Sequence, residues 1–210
     1  MKSAVITALF GDYDTWVDPL PELIDDSLDY HLFTDQDISS EVYQVHKTLP
    51  HPKIERKIKI MSWNYLRGYD RYIWIDANIH PTKLGLDITT DTDILLLEHP
   101  ARKCVYEELR ACVRLEKDDP LLMTNQIAGY HQEGYPANNG MVQTGFLVRT
   151  PTDQNKAFAE RWWLEVKDNS RRDQLSFNYS VWRESDIVTF EVIPMDTFYK
   201  HYAITKHKNK

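Results

Sequence analysis

The stretch YIWIDANIHP, residues 72–81, is an apolar run that leads directly into a carboxylate and an amide, Asp76 and Asn78. Its β-branched and aromatic residues are typical of a buried strand over residues 72–76. Side chains two apart on an extended chain point to the same side, so Asp76 and Asn78 can present oxygens to one point. Such oxygens suit Mg²⁺ or Mn²⁺. The alternative is that both side chains only satisfy a turn.

Strands and helices alternate along the chain, which predicts an α/β fold with a mostly parallel sheet flanked by helices. Ligands of such sheets bind at the carboxyl ends of the strands, where Asp76 is expected. No glycine-rich dinucleotide fingerprint follows the first apolar run. The other strands are predicted at residues 3–10, 30–35, 41–47, 93–98, 140–149 and 187–193, and the helices at residues 52–68, 102–117, 119–134, 152–167 and 171–182.

Length and composition predict one soluble domain over residues 1–210, because the chain of 210 residues shows no low-complexity linker. The net charge of -7 argues against a nucleic-acid partner. The apolar run at the N-terminus is too short for a signal peptide, and no apolar stretch is long enough for a membrane span. The two cysteines, Cys104 and Cys112, are expected to be reduced. We therefore expect a cytoplasmic location. From the abrupt basic end KHKNK we expect that the chain is part of a longer protein with an additional C-terminal domain.

Two cations and one carboxylate outside the YIWIDANIHP stretch are candidates for chemistry. Arg56 and Lys59 lie three apart on the predicted helix that follows Pro52, so they share a face that can reach a diphosphate beside a metal ion. The alternative is a solvated basic face. Asp173 lies near the start of a helix, where it is either a general base for a sugar hydroxyl or a cap of the helix.

Two further segments are candidates for ligand binding. Residues 133–145 are rich in amides and hydroxyls, which can hold sugar hydroxyls or simply form a long turn. In the C-terminal tail, His201 or His207 can fold back as a third metal ligand, although a basic tail of this kind is often disordered. We predict His207 for that role.

Four segments carry a resemblance to a known family: WIDANI (74–79), HPARKCVYEEL (99–109), EGYPANNGMVQTGFLVR (133–149) and WWLEVKDNSRRDQLSFNYSVW (162–182). In this order they resemble glycosyltransferase-like domains of the GT-A type. These domains are known from plant Golgi proteins of polysaccharide synthesis and from viral proteins that build a capsid glycan. The resemblance implies a GT-A (Rossmann-like) fold for the whole chain.

The resemblance also implies roles for individual residues. Asp76 and Asn78 take the place of an Asp-x-Asp metal motif, and Asn78 in place of the second Asp removes one negative charge. Arg56 and Lys59 match an Arg-x-x-Lys pair that approaches the diphosphate. Asp173 matches the catalytic carboxylate. The remaining residues are implied to bind the nucleotide or to border the sugar: Thr7, Ala8, Tyr13 and Asp35 for the nucleotide, and Gln126, Gln143 and Thr144 for the sugar.

The function implied by the resemblance is transfer of glucose or rhamnose from a UDP-sugar to a hydroxyl of a glycan or glycoprotein, with Mn²⁺ or Mg²⁺ as cofactor. One carboxylate acting as base suits an inverting displacement, so we expect inversion with Asp173 as base. Two alternatives stay open. One is a hydrolase or pyrophosphorylase acting on nucleotide sugars, and the other is a sugar-binding module that keeps the fold without catalysis.

Overall fold

The computed structural model describes residues 1–12, 14–81, 90–185 and 187–205, which form one α/β domain. Its strands are β1 Ser3–Leu9, β2 Asp29–Thr34, β3 Gln44–Lys47, β4 Arg71–Ile75, β5 Ile79–Pro81, β6 Ile94–Glu98, β7 Val142–Arg149, β8 Phe190–Ile193 and β9 Tyr202–Ile204. Its helices are α1 Ile54–Ile60, α2 Val105–Arg114, α3 Pro120–Gln132, α4 Asp153–Asp168, α5 Asp173–Arg183 and α6 Met195–His201. Short 3-10 turns occur at Pro21–Leu23 and Ser62–Asn64.

Seven strands form one sheet in the order β3-β2-β1-β4-β7-β6-β8, and β5 pairs with β9 in a small second sheet. Within the large sheet, β7 is antiparallel to both of its neighbours, β4 and β6. The other paired strands run parallel. The predicted mostly parallel, helix-flanked sheet is therefore confirmed, and it agrees with a Rossmann-like GT-A fold.

The helices cover both faces of the sheet with apolar side chains. On one face, α1, α4 and α5 contribute residues such as Ile58, Trp162 and Phe177 to a core with β1, β4 and β6. On the other face, Phe198 of α6 and Tyr202 of β9 pack on the sheet. A third cluster joins α2 and α3 to α5. Because the helices cover the two faces of the sheet, the loops that follow the strands meet at the ends of the strands.

The centre of the sheet brings the end of β4 against an irregular part of β7. Leu96 pairs with Leu147, but the next residue, Leu97, pairs with Gln143, so residues 144–146 form a bulge. The backbone N–H of Asp76 donates to the carbonyl of Gly145 in this bulge at 2.8 Å. Bulges of this kind re-aim side chains beside functional sites. The bulge falls on the polar interruption that the sequence places within residues 140–149.

Some predicted boundaries are wrong, and three elements were not predicted. The first helix ends at Ile60 instead of Gly68 and is followed by the 3-10 turn Ser62–Asn64. The strand predicted at residues 41–47 is formed only over Gln44–Lys47. The elements β5, α6 and β9 have no separate sequence signal, because each is short and becomes stable only by packing on the rest of the domain.

Two expectations from composition can be compared with the structure. Cys104 and Cys112 are both buried and unpaired thiols. Over the four described ranges, none of the helices combines the length and apolar character needed to cross a membrane.

Candidate functional site

Asp76 directly follows β4 and lies at the carboxyl edge of the sheet. Its Oδ1 accepts a hydrogen bond from the indole N–H of Trp74 at 2.8 Å, because residues two apart at the strand end face the same side. Its side chain keeps 39% of its surface exposed. Asp76 is therefore oriented by the protein and open to a ligand.

Lys59 joins the two acidic residues that the sequence singles out. Its ammonium group lies 2.7 Å from Oδ2 of Asp173 and 3.7 Å from Oδ1 of Asp76. Only 1% of the Lys59 side chain is exposed. The ammonium also lies 5.7 Å from the centre of the Trp74 ring, where a cation is attracted by the face of the ring. A buried cation thus couples the carboxylates of Asp76 and Asp173.

Asp173 begins α5 and is almost completely buried, with 4% of its side chain exposed. Besides Lys59, it pairs with Arg56, whose Nε lies 3.4 Å from Oδ1. Burial by itself would raise the pKa of Asp173, but the charges of Lys59 and Arg56 outweigh it and hold the pKa well below its usual range. The start of a helix also favours a negative charge. Asp173 is therefore ionised at neutral pH.

Asn78 lies in the turn after Asp76 and binds the end of the described chain. Its side-chain amide donates to the carbonyl of Thr205 at 2.9 Å, and its own carbonyl accepts from the N–H of Thr205 at 2.8 Å. This pairing continues the small β5–β9 sheet and brings the C-terminal segment beside Asp76 and Asn78. His207 lies outside the described residues. His201 ends α6.

The residues present fit a divalent cation bound at Asp76 and Asn78. Asp76 offers a partly exposed carboxylate, and the amide oxygen of Asn78 remains as a second hard ligand. The Asp76 carboxylate packs against Gly145, since a Cβ at that position would lie 3.1 Å from its Oδ2. Among the residues that the structure describes, no three His, Cys, Asp or Glu side chains converge as a metal-binding group. The metal ligands thus remain a prediction.

Three of the predicted nucleotide residues, Thr7, Ala8 and Asp35, lie in or directly after the neighbouring strands β1 and β2. Thr7 is buried in β1, and its hydroxyl makes no hydrogen bond to any of the described residues. Ala8 follows it and is partly buried against the core. Asp35 follows β2, and its Oδ1 accepts from the backbone N–H of Gly11 at 2.9 Å, which ties the loop after β1 to the loop after β2. Tyr13 lies outside the described residues.

The predicted sugar residues occupy two different places. Gln143 and Thr144 lie at the β7 bulge next to Gly145, and Oε1 of Gln143 is buried without a hydrogen bond to the part of the chain that the structure describes. Gln126 instead lies within α3, where its amide nitrogen donates to the Tyr130 hydroxyl at 2.8 Å and its oxygen accepts from the N–H of Ser170 at 3.3 Å. Gln126 therefore anchors the loop that precedes Asp173.

Sequence reasoning missed two contributors to the site, Trp74 and Gly145. Trp74 holds the Asp76 carboxylate, and its position two residues earlier on the strand was an available signal. Gly145 lies inside the strand predicted at residues 140–149, and a glycine within a strand often marks a bulge or a close approach of the backbone. Both signals are visible in the sequence, but only the paired strands show what each residue approaches.

A separate cavity of about 600 Å³ lies at the opposite edge of the sheet, near the amino ends of β1 and β2. Three of its polar side chains pair with one another: the Lys2 ammonium lies 3.1 Å from Asp29, and the Tyr69 hydroxyl donates to Asp29 at 2.8 Å. The Asp76–Lys59–Asp173 cluster is at the other edge. We therefore take the carboxyl edge, and not this cavity, as the candidate site.

The comparisons with known proteins concern the segment that contains most of this cluster. The family model of the TOD1/MUCI70 glycosyltransferase-like domain matches residues 66–207, which is more than half of the chain. The matched range includes Asp76, Asn78 and Asp173, whereas Arg56 and Lys59 precede it. The comparison with curated proteins gives no match.

Proposed function

Because the chain belongs to the TOD1/MUCI70 glycosyltransferase-like family, we propose that it transfers glucose or rhamnose from a UDP-sugar to a glycan hydroxyl with the help of a divalent cation. The setting we propose is glycoprotein glycosylation of the viral-capsid type. The observation that carries the proposed reaction is the buried Lys59 ammonium between Asp76 and Asp173. It places positive charge where a leaving diphosphate would meet the carboxyl edge of the sheet.

Arg56 and Lys59 are the groups that would bind the diphosphate. In the structure they neutralise Asp173, so an incoming diphosphate competes with Asp173 for the same two cations. Positive groups that meet the diphosphate stabilise the charge that develops as the bond to the sugar breaks. When the two cations turn to the diphosphate, Asp173 loses its partners and its pKa rises towards the ordinary range.

Asp173 is the proposed base of the reaction. A single carboxylate that accepts the proton of the acceptor hydroxyl is sufficient for a one-step displacement with inversion. While it is paired with Arg56 and Lys59, Asp173 is a weak base. When these two cations bind the diphosphate instead, Asp173 becomes a stronger base, so donor binding is coupled to activation of the acceptor. This coupling would limit proton removal to the complex that contains the donor.

Asp76 and Asn78 would hold Mn²⁺ or Mg²⁺, with His207 as the proposed third ligand. When bound, the cation supplies further charge neutralisation for the departing diphosphate. The protein's own contribution is to orient the Asp76 carboxylate through Trp74 and, at Gly145, to leave room for that carboxylate.

The ion pairs of Asp173 favour a second candidate, a module that binds nucleotide sugars without catalysis. If both cations stay on Asp173 in the complex, its low pKa leaves it unable to take a proton from a hydroxyl at a useful rate. Such a module would bind the donor and show no turnover.

The test is calorimetric titration with UDP, UDP-glucose and UDP-rhamnose, each with Mn²⁺ and with a chelator, followed by a transfer assay with glycan acceptors. We expect metal-dependent binding and release of UDP that requires an acceptor. UDP release at the same rate without an acceptor would instead identify a hydrolase. Binding without release would support the non-catalytic module, and a folded protein that binds none of these ligands would overturn the proposal.

A further inference from the structure

Arg149 is the last residue of β7 and is completely enclosed, with 1% of its surface exposed. Its guanidinium donates to the backbone carbonyls of Lys59 and Ile60 and to the hydroxyl of Ser62 at 3.0 Å. It also stacks on Trp63, with 4.8 Å between the guanidinium carbon and the ring centre. Arg149 thus binds the final turn of α1 from the sheet.

Burying the Arg149 guanidinium lowers the stability of the fold. Complete burial lowers the pKa of Arg149 to about 9, so it is still charged at neutral pH. Within the described ranges, no carboxylate forms an ion pair with it. Backbone carbonyls at the C-terminal end of α1 offset part of the cost, because that end of a helix is negative. An apolar residue would avoid the cost, since buried charges are often replaced without loss of stability.

The contacts of Arg149 fix the backbone of Lys59, whose ammonium group lies between Asp76 and Asp173. Long side chains on a helix point back towards its N-terminus, so Lys59 extends from the end held by Arg149 towards Asp76 and Asp173. The helix also ends where Arg149 binds, since Met61 already has a non-helical backbone with φ −124° and ψ 46°. A shift of this turn would move the Lys59 ammonium away from both carboxylates.

We propose that Arg149 is a positioning residue for Lys59, which holds the last turn of α1 so that the buried ammonium group stays between Asp76 and Asp173. Its effect on donor binding rests on the proposed function, whereas its effect on Lys59 does not. In the described part of the chain, Arg149 forms no hydrogen bond or ion pair with either carboxylate, and its link to Lys59 runs through the backbone carbonyls of Lys59 and Ile60.

The first experiment is a double-mutant cycle on UDP affinity, measured by calorimetry with Arg149→Met, Lys59→Met and the double variant. If Arg149 acts through Lys59, Arg149→Met weakens UDP binding by about tenfold in the parent protein, which is the usual effect of losing hydrogen bonds to a charged group. In the Lys59→Met background, the same substitution should change UDP affinity little. Arg149→Lys should recover only part of the affinity, because an ammonium group cannot reproduce the planar fork.

Asn155→Ala is the matched control for a general loss of stability. Asn155 is fully buried, and its side-chain amide donates to the carbonyls of Asp93 and Thr150 at 2.9 and 2.8 Å. Like Arg149, it is a buried polar residue that binds two backbone carbonyls, but those carbonyls are not in α1. Asn155→Ala should lower the melting temperature without changing UDP affinity.

The second experiment needs no nucleotide. Acetylation of lysines by a soluble active ester is followed by mass spectrometry, with Lys47 as the internal reference, since 61% of its side chain is exposed. Lys59 should be protected in the parent protein and in Asn155→Ala, and should react about tenfold faster in Arg149→Met.

The two experiments separate failure of the inference from failure of the proposed function. Unchanged protection of Lys59 in Arg149→Met, or equal loss of UDP affinity with and without Lys59, would overturn the positioning role. Loss of protection together with no UDP binding in the parent protein would support the positioning role and overturn the proposed function.

Discussion

At the residue scale, the candidate site depends on one buried ammonium group shared by two carboxylates. Lys59 contacts Asp173 at 2.7 Å and Asp76 at 3.7 Å, and the two carboxylates differ in exposure, 4% against 39%. The exposed carboxylate suits a metal ion, and the enclosed one suits a proton acceptor that is released from its cations by the donor. The same Lys59 ammonium therefore serves two carboxylates with different proposed roles, Asp76 as a metal ligand and Asp173 as a base.

The role of Asp173 predicts the effect of replacing it with Asn. Asp173→Asn should leave UDP binding at least as strong, because it removes the carboxylate that competes with the diphosphate for the two cations, and it should lower transfer by about 10²-fold or more through loss of the base. Calorimetry and an acceptor-dependent assay measure the two effects separately. Transfer close to the parent rate would remove Asp173 from the proposed chemistry.

The role of Asp76 predicts a loss of metal-dependent binding. Asp76→Ala removes the carboxylate that Trp74 orients, so donor binding should no longer respond to Mn²⁺. The control is Asp37→Ala, which removes a fully exposed carboxylate outside the cluster. If Asp76→Ala kept both the affinity and the response to Mn²⁺, the metal would have to bind elsewhere.

Much of this cluster could be predicted from residue types and spacing. Arg56, Lys59, Asp76 and Asp173 were all singled out in the sequence, and the structure brings them together. Their pairing could not be predicted, because the ion pairs join residues from α1, the end of β4 and the start of α5. Arg149 gave no signal, since an arginine at the end of an apolar strand is usually expected to be exposed.

At the scale of elements, the bulge in β7 makes room for the Asp76 carboxylate. The carbonyl of Gly145 accepts a hydrogen bond from the backbone N–H of Asp76. Gly145 has no Cβ, and a Cβ there would approach Oδ2 of Asp76 to 3.1 Å and Ile79 to 3.5 Å. The bulge thus sets both the backbone position and the free space of the proposed metal ligand.

Gly145→Ala tests this arrangement. The added methyl group should displace the Asp76 carboxylate and weaken Mn²⁺ binding by about 10- to 100-fold, the usual cost of disturbing the groups that orient a metal ligand. Titration with Mn²⁺ measures the change. Unaltered Mn²⁺ affinity would show that Oδ2 of Asp76 does not face the metal.

Gly129→Ala is the control for the same chemical change elsewhere. Gly129 lies inside α3, and a Cβ there would meet no atom within 4 Å. Alanine should therefore stabilise the fold by about 0.4–1 kcal/mol and leave Mn²⁺ binding unchanged.

At the scale of the whole molecule, the ionised carboxylates make stability depend on pH. The pKa of Asp173 is lowered in the folded state, as are those of Asp25, Asp93 and Asp118. For such groups the stabilisation is fully present above the unfolded pKa, about 3.9 for Asp, and is lost as the pH falls below it. The domain should therefore lose stability in acid while remaining stable at neutral pH.

The share of Asp173 in this acid sensitivity can be measured by thermal unfolding. Melting temperatures of the parent protein and Asp173→Asn are compared from about pH 6 to about pH 3. The parent should lose more stability over this range, because its unfolded state takes up a proton at Asp173, whereas the folded state, in which Lys59 and Arg56 hold the pKa of Asp173 low, does not. Parallel curves would show that the ion pairs of Asp173 contribute little to folding.

The sequence by itself determined the α/β class, the mostly parallel sheet, and the placement of Asp76 at a strand end and Asp173 at a helix start. These follow from local periodicity and end signals, which involve residues close together in the chain. The structure alone decided where α1 ends, where β7 bulges, that β5 and β9 pair, and that Lys59 lies between two carboxylates. The physical reason is that these features depend on burial and on contacts between distant segments, whose free energy arises only when the elements pack together.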